Sequence, residues 1–357
     1  LLLLDGRIEA SLDYYIKRTK DLLSPDAIHP SGGFPNYTNP DGRRFEYTAM
    51  MLNDGEIDNR GFELSVKSTN ISTKNFVWTS MFNLSTNRSK VLKLNNGQAR
   101  FQYIRPHGSY EEKEYIILKE NEPLSAIYGY VFEGIIQQGE HYKPQPNSVA
   151  GDPKVKDLNH DGIIDERDRK VLGTGIPKTI LGLQNTLTYK NIDFSMFWEA
   201  SLGAKMLNLT RIYLEDNNRI RESMDRWTQG GRNMTDANGH TYATAGNPST
   251  SVPRKGYTRK AEVQYGSYIN SRFVENANYL KLRNVELGYT LKGSSLKLNF
   301  IQTIRLFVGA QNLFTITKYK GFDPDISTNG SSAVAQGLDL NSYPAYRTFN
   351  FGGKITF

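Results

Sequence analysis

Arg347-Thr-Phe-Asn-Phe-Gly-Gly-Lys-Ile-Thr-Phe357 closes the sequence. Successive side chains of an extended strand point to opposite faces. Phe349, Phe351, Ile355 and Phe357 therefore share one face, with Gly353 keeping the register, while Asn350, Lys354 and Thr356 share the other beside Gly352. Such alternation, running into a terminal aromatic, reads as an outer-membrane β-barrel strand with apolar residues toward lipid and polar ones toward the lumen. The last strand of a soluble sandwich would alternate in the same way, toward a core. The rest of the chain has to decide between them.

Working back from this strand, the pattern recurs. Ile8, Ala10, Leu12, Tyr14 and Ile16 alternate with Glu9, Ser11, Asp13, Tyr15 and Lys17. Phe62, Leu64 and Val66 alternate with Glu63, Ser65 and Lys67, and the turn 69–74 leads into Phe76, Trp78, Phe82 and Leu84. A tight hairpin through Tyr189-Lys190-Asn191 joins strands near 180–190 and 192–201, and further strands are predicted near 272–291, 303–314 and 346–357. Glu114–Leu118 and Ile127–Phe132 are candidates for two more, so the chain is expected to hold about 8–10 strands. Most exceed the usual ~5–6 residues of a soluble strand and suit a tilted membrane crossing of ~9–11.

The connections carry a second regularity. Short turns near 70–74, 190–191 and 292–300 alternate with long polar loops near 20–58, 88–179, 202–268 and 316–345. Membrane barrels pair short periplasmic turns with long extracellular loops, and a terminal strand ending in the periplasm puts every long loop outside. The fold expected is all-β, part of a large antiparallel transmembrane barrel. The loop 202–268 should hold a short helix across Arg211–Gln229, on the stripe Ile212, Tyr213, Ile220, Met224 and Trp227.

Composition narrows the alternatives. Mean hydropathy is −0.55, and no apolar run approaches the ~18 residues of a membrane-spanning helix. The 21 Tyr and 17 Phe against 3 Trp suit interfacial girdles. The absence of cysteine removes a disulfide framework and Cys-ligated zinc. A net charge of +7 is spread over 44 basic and 37 acidic residues without a block of one sign, which argues against nucleic acid. Leu1-Leu-Leu-Leu4 is too short for a signal-peptide core of ~7–15 residues, so the chain is expected to be a piece of something longer.

One chemical motif is sharp. Asp157-Leu-Asn159-His-Asp161-Gly162-Ile163-Ile-Asp165-Glu-Arg-Asp168 places oxygen ligands at the first, third, fifth, ninth and twelfth positions. Gly162 stands at the sixth, where the chain must turn, and Ile163 at the seventh would offer its backbone carbonyl. That is the spacing of a calcium loop, except that the last ligand is Asp168 where Glu is usual. A structural Ca²⁺ held by Asp157, Asn159, Asp161, Ile163, Asp165 and Asp168 is expected. The alternative is an acidic turn, or a cap for a short helix near Asp165. No nucleophile elbow, phosphate loop or dinucleotide fingerprint is present in the sequence, so no enzymatic activity is expected.

Several stretches together resemble the SusC/RagA-type TonB-linked outer-membrane transporters. They are Asn53-Asp-Gly-Glu-Ile-Asp-Asn-Arg-Gly-Phe-Glu-Leu64, the calcium-type loop from Lys156, Phe273-Val-Glu-Asn-Ala-Asn-Tyr-Leu-Lys-Leu-Arg-Asn-Val-Glu-Leu-Gly-Tyr289, the run Arg305–Pro324, and Tyr343-Pro-Ala-Tyr-Arg-Thr-Phe349. The resemblance implies a plugged barrel of about 22 strands, of which this is the C-terminal part. It further implies import of a large nutrient, oligosaccharide or peptide, under a SusD-like surface lipoprotein. Energy would come from TonB through an N-terminal region lying outside this sequence, and Phe357 would belong to the strand read by the barrel-assembly machinery. The competing reading is a secreted or surface β-sandwich, stabilised by calcium, that binds glycans. Trp78, Phe194, Trp198 and Phe349 separate the two: they face lipid in a barrel and a core in a sandwich.

Overall fold

A computed structural model describes residues 2–27, 37–38, 44–45, 49–94, 99–104, 113–216, 219, 221–230, 233–235, 241–243, 246–254, 269–296, 300–328, 330, 332 and 334–357. Eight long strands run up and down in chain order. They are β1 (Ile8–Ala27), β2 (Ala49–Ser72), β3 (Phe76–Lys93), β4 (Thr179–Tyr189), β5 (Ile192–Leu202), β6 (Tyr279–Lys292), β7 (Thr303–Thr317) and β8 (Thr348–Thr356). With the two-residue strand Leu2–Leu3 they form one nine-stranded sheet in sequence order. Every neighbouring pair is antiparallel, and the sheet is open, with edges at Leu2–Leu3 and β8.

Register turns the alternation of single strands into two continuous faces. Leu12, Leu64, Leu84, Leu181, Ala200, Leu280 and Ile316 stand opposite one another in a single row across seven strands. Trp78, Leu187, Phe194, Leu287, Val308 and Phe351 make another. A slip of one residue anywhere would send a whole strand's apolar set to the other face. The apolar face is bare: Leu12 is 66% exposed and Phe351 89%. A sandwich would bury this face against a second sheet. None covers it among the described residues, and the hydrocarbon of a membrane is what such a face requires. No helix of the described residues is long and apolar enough to cross a membrane, which leaves strands untouched.

The buried core lies elsewhere, in the long connections. Glu114–Leu118 and Ile127–Phe132, read as two further candidates, do form strands (Lys113–Leu118 and Ala126–Tyr130). They do not join the barrel sheet. They pair with Arg100–Ile104 and Arg169–Thr174 in a separate four-stranded sheet. The reason is that Tyr115, Ile116 and Ile117 are buried in succession, which suits a sheet covered on both faces and not a lipid–lumen boundary. Tyr115, Ile116, Ile127, Leu207, Leu209, Ile212, Phe273 and Leu338 pack into one cluster, so three long connections fold together as a cap over the sheet. Each such side chain contributes about 1.5–3 kcal/mol.

Three expected boundaries shift. β1 and β2 stay paired as far as Ala27 and Ala49, well into the segment read as a loop near 20–58, with register shifts on either side of Leu22. The strand expected from residue 272 starts at Tyr279. Before it, Ser271–Phe273 is a 3-10 turn and Val274–Asn276 pairs with Lys205–Asn208 in the cap. The helix expected over Arg211–Gln229 is two pieces, α1 (Leu209–Asp216) and a 3-10 turn at Arg221–Asp225. Ile212 and Trp227 are buried while Met224 is 87% exposed, so the stripe does not belong to one helix. Ile220 lies outside the described residues.

Candidate functional site

The face opposite the lipid rows is polar, and two clusters of paired charge stand on β5–β7. At the end of the sheet next to the cap, β5 carries Glu199 and β6 carries Tyr279, Lys281 and Arg283. The register breaks at Phe197/Trp198 on β5 and at Leu282/Asn284 on β6, which leaves Arg283 as an extra residue. A bulge re-aims the side chain it carries, and Arg283 reaches Glu199 Oε1 at 2.7 Å and also binds Asp325. Tyr279 donates its hydroxyl to Glu199 Oε1 at 2.6 Å or Asp325 Oδ1 at 2.8 Å. Lys281, 2% exposed, binds Asp323 Oδ1 at 2.6 Å and Asp325 Oδ2 at 3.2 Å.

Asp323 and Asp325 come from the connection between β7 and β8, so this cluster folds that loop back into the mouth of the lumen. Burial alone would raise the Asp325 carboxyl; hydrogen bonds from Arg283 and Tyr279 outweigh it and hold the group below the usual carboxylate range. Farther along the same loop, Asp339 is fully buried and accepts the Tyr319 hydroxyl at 2.5 Å. Burial, then this hydrogen bond, pushes Tyr319 up. At the opposite end of the sheet, Arg305 bridges Asp193 and Glu286, the latter at 2.6 Å.

Beside the first cluster, across β1–β5, the wall forms a groove of about 350 Å³ lined by Ser11, Asp13, Glu63, Ser65, Asn83, Ser85, Phe197 and Glu199. Hydroxyl, amide and carboxylate groups share its surface with one aromatic ring and with Leu64, Leu84, Ile180 and Leu181. Glycines make room for the other lumen aromatics. A Cβ at Gly61 would collide with the Tyr15 hydroxyl, and one at Gly352 would lie 2.7 Å from the Phe307 ring. Both rings lie across the neighbouring strand's glycine, as strand glycines often permit.

The calcium-type loop is wound around its own carboxylates. His160 and Gly162 take positive φ of 61° and 83°, which turns the chain so that Asp157 accepts from the N–H of His160 at 2.7 Å and of Gly162 at 2.8 Å. Asp161 accepts from Ile163 N–H at 3.0 Å and from the Asn159 amide at 2.9 Å. Asp168, fully buried, accepts from Leu158 N–H at 2.7 Å and Asp165 N–H at 2.9 Å. Asp165 caps the 3-10 turn Glu166–Asp168, so the capping alternative is realised here. Ile163 is exposed. The donor set is all oxygen, as a hard cation requires, and Arg167 supplies positive charge to two of its members. That guanidinium lies 2.7 Å from Asp161 Oδ2 and 2.6 Å from Asp165 Oδ2, and holds the Asp165 carboxyl below its ordinary value. Among the described residues no three His, Cys, Asp or Glu side chains already gather around one point.

The sequence signalled the loop but not the Lys281–Arg283 cluster. About forty residues separate the cations from Asp323 and Asp325, and they meet only because the loop after β7 folds back onto Tyr279, Lys281 and the bulged Arg283.

No family model matches the chain. In sequence it is 33% identical over 366 residues to TonB-dependent receptor P3 of Formosa agariphila, covering 99% of this chain and 33% of that protein. It is 26% identical over 357 residues to TonB-dependent receptor SusC of Bacteroides thetaiotaomicron, covering 99% of this chain and 30% of that one. In structure it is similar to the RagAB peptide transporter at a TM-score of 0.69, with 21% identity, 99% of this chain and 34% of that chain covered. The chain thus spans about a third of the length of the relatives it matches.

Proposed function

Since this chain is of the SusC/RagA type and belongs with the TonB-dependent receptors of the outer membrane, we propose that it supplies the C-terminal strands and outer cap of an importer for a large polar nutrient, oligosaccharide or peptide. The observation that carries this is the division of one sheet into an exposed apolar face and a face of hydroxyls, amides and paired charges. Such a wall suits a hydrated cargo. A SusD-like lipoprotein would sit over the cap as a lid, and TonB would act through the part of the receptor outside this chain. The barrel-assembly machinery would read β8. The work is binding and passage, not bond-making: the charged groups of the two lumen clusters are paired with one another, so no carboxylate in them stands ready as acid or base.

In the 157–168 loop we read a structural Ca²⁺ site. Asp157, Asn159, Asp161, Asp165, Asp168 and the Ile163 carbonyl would hold the ion once Arg167 swings out of the carboxylates it now bridges. Extracellular sites of this kind bind at about 10⁻⁴–10⁻³ M, which suits a permanent staple for the cap.

The test is uptake by cells expressing the full-length receptor, with fluorescent oligosaccharides and fluorescent peptides offered separately. One of the two pools should enter, entry should stop when TonB is removed, and the lipoprotein should co-purify with the receptor. Uptake that persists without TonB, or no change in either pool when the receptor is deleted, would defeat the reading.

A further inference from the structure

The Asn53–Leu64 stretch contains one residue, Arg60, that import leaves without a task. On the lipid side, the apolar stripes are Ile8–Ile16 on β1, Phe62–Ile71 on β2 and Trp78–Thr86 on β3. Each is about the length of one tilted crossing. At the cap end, the next outward position on every one of these strands is basic: Arg18, Arg60 and Arg88. Register makes them neighbours. Ile16, Arg60 and Arg88 form one row, and Arg18, Asp58 and Lys90 the next.

Arg60 and Arg88 therefore stand directly opposite on one face, where like charges destabilise a strand pair. The carboxylates within reach pair with Arg60 and Arg18, although Asp58 Oδ1 and Glu56 Oε1 have no hydrogen-bond partner among the described residues. Asp58, 4% exposed, is held by Arg60 at 2.5 Å and faces Arg18, which also binds Glu56 at 3.3 Å. Arg88 and Lys90 have no ion pair among the described residues, and the side chains of Arg18 and Arg60 are about half exposed, at 49% and 53%. Tyr14 and Phe62 lie immediately below.

We propose that this patch binds the phosphate groups of a phosphorylated glycolipid in the outer leaflet. Its acyl chains would lie along Tyr14, Phe62 and Leu12, and its phosphates would relieve the opposed arginines. Guanidinium forks match phosphate oxygens two at a time, and the position, where the apolar stripe ends, is the height of a headgroup. The inference rests on the barrel reading but not on any cargo.

The test uses the purified full-length receptor and native mass spectrometry, with diphosphorylated lipid A and its enzymatically dephosphorylated form as probes. Wild type should retain the phosphorylated lipid through detergent exchange and lose most of the dephosphorylated form. The Arg60→Gln/Arg88→Gln variant should bind the phosphorylated lipid about thirtyfold more weakly, with heat-modifiable mobility unchanged. Arg60→Lys/Arg88→Lys, which keeps charge without the fork, should fall between. Equal retention of both lipids by wild type, which needs no variant to fold, would overturn the proposal. So would equal retention by wild type and the Gln variant, or displacement of lipid A by inorganic phosphate at equal concentration.

Discussion

Arg283 and Leu183 mark two ways in which a single residue depends on its face of the sheet. Leu183 stands on the lipid side, between Phe82 and Trp198. Leu183→Lys is expected to cost about 2–4 kcal/mol if that position lies near the bilayer midplane. Gln184→Lys, one residue on and facing the lumen, should change little. Urea unfolding of the reconstituted full-length receptor would measure both, and equal costs would count against the assignment of faces. Arg283 acts through Asp325, whose carboxyl lies below its ordinary value in the folded chain. A depressed folded value stabilises the docked loop above the unfolded pKa of about 3.9 and loses that contribution as pH falls through the folded value. Amide exchange of residues 318–328, corrected for intrinsic rate, should thus show protection at pH 7 that weakens below about pH 4. In Asp325→Asn the protection should already be weak at pH 7. Protection independent of both pH and this carboxylate would show that the loop is held by other contacts.

The elements show how much of the molecule its sequence carries. All eight barrel strands and the short turns near 70–74 and 190–191 were legible, because lipid on one side and water on the other imposes a period of two that survives in each strand alone; part of the turn at 292–300 lies outside the described residues. The cap was legible only in part. Glu114–Leu118 and Ile127–Phe132 read as strands, but the run Tyr115–Ile117 is buried throughout and has no alternation to show that a separate sheet of the cap holds it. Its core joins Tyr115, Leu207, Phe273 and Leu338, residues far apart in the chain, and no local pattern announces such meetings. The short helix expected across Arg211–Gln229 exists only as α1, and its predicted stripe does not hold, because Ile212 packs in the cap core while Met224 is exposed. The 157–168 loop was legible because its chemistry is local, with the turn at Gly162 and the inward carboxylates all within twelve residues. Millimolar Ca²⁺ is expected to raise the melting temperature of the full-length receptor. Asp168→Ala should abolish that rise, and Arg167→Ala, by freeing Asp161 and Asp165, should lower the calcium concentration needed. A wild-type melting temperature unmoved by calcium or chelator would leave the loop as a capped acidic turn held by Arg167.

At the scale of the whole molecule, a polar wall and an apolar outer face are the two sides of one open sheet, a cap with its own core lies over it, and the relatives the chain matches are about three times as long. The isolated segment, with two open sheet edges and a bare apolar face, should not yield a soluble, cooperatively melting product. Deleting Ile355–Phe357 from the full-length receptor should abolish its surface assembly; normal outer-membrane levels would rule out a role for that end of β8. The most direct test of the central claim, that alternate residues of these strands face lipid and lumen, exploits the absence of cysteine from the chain. Single cysteines would be placed at 348–355 in the full-length receptor in intact outer membranes and exposed to a membrane-impermeant, water-soluble thiol reagent. The account predicts labelling at Asn350, Gly352 and Lys354 and protection at Phe349, Phe351 and Ile355. Uniform labelling, or labelling of the aromatic positions in preference to the polar ones, would contradict it.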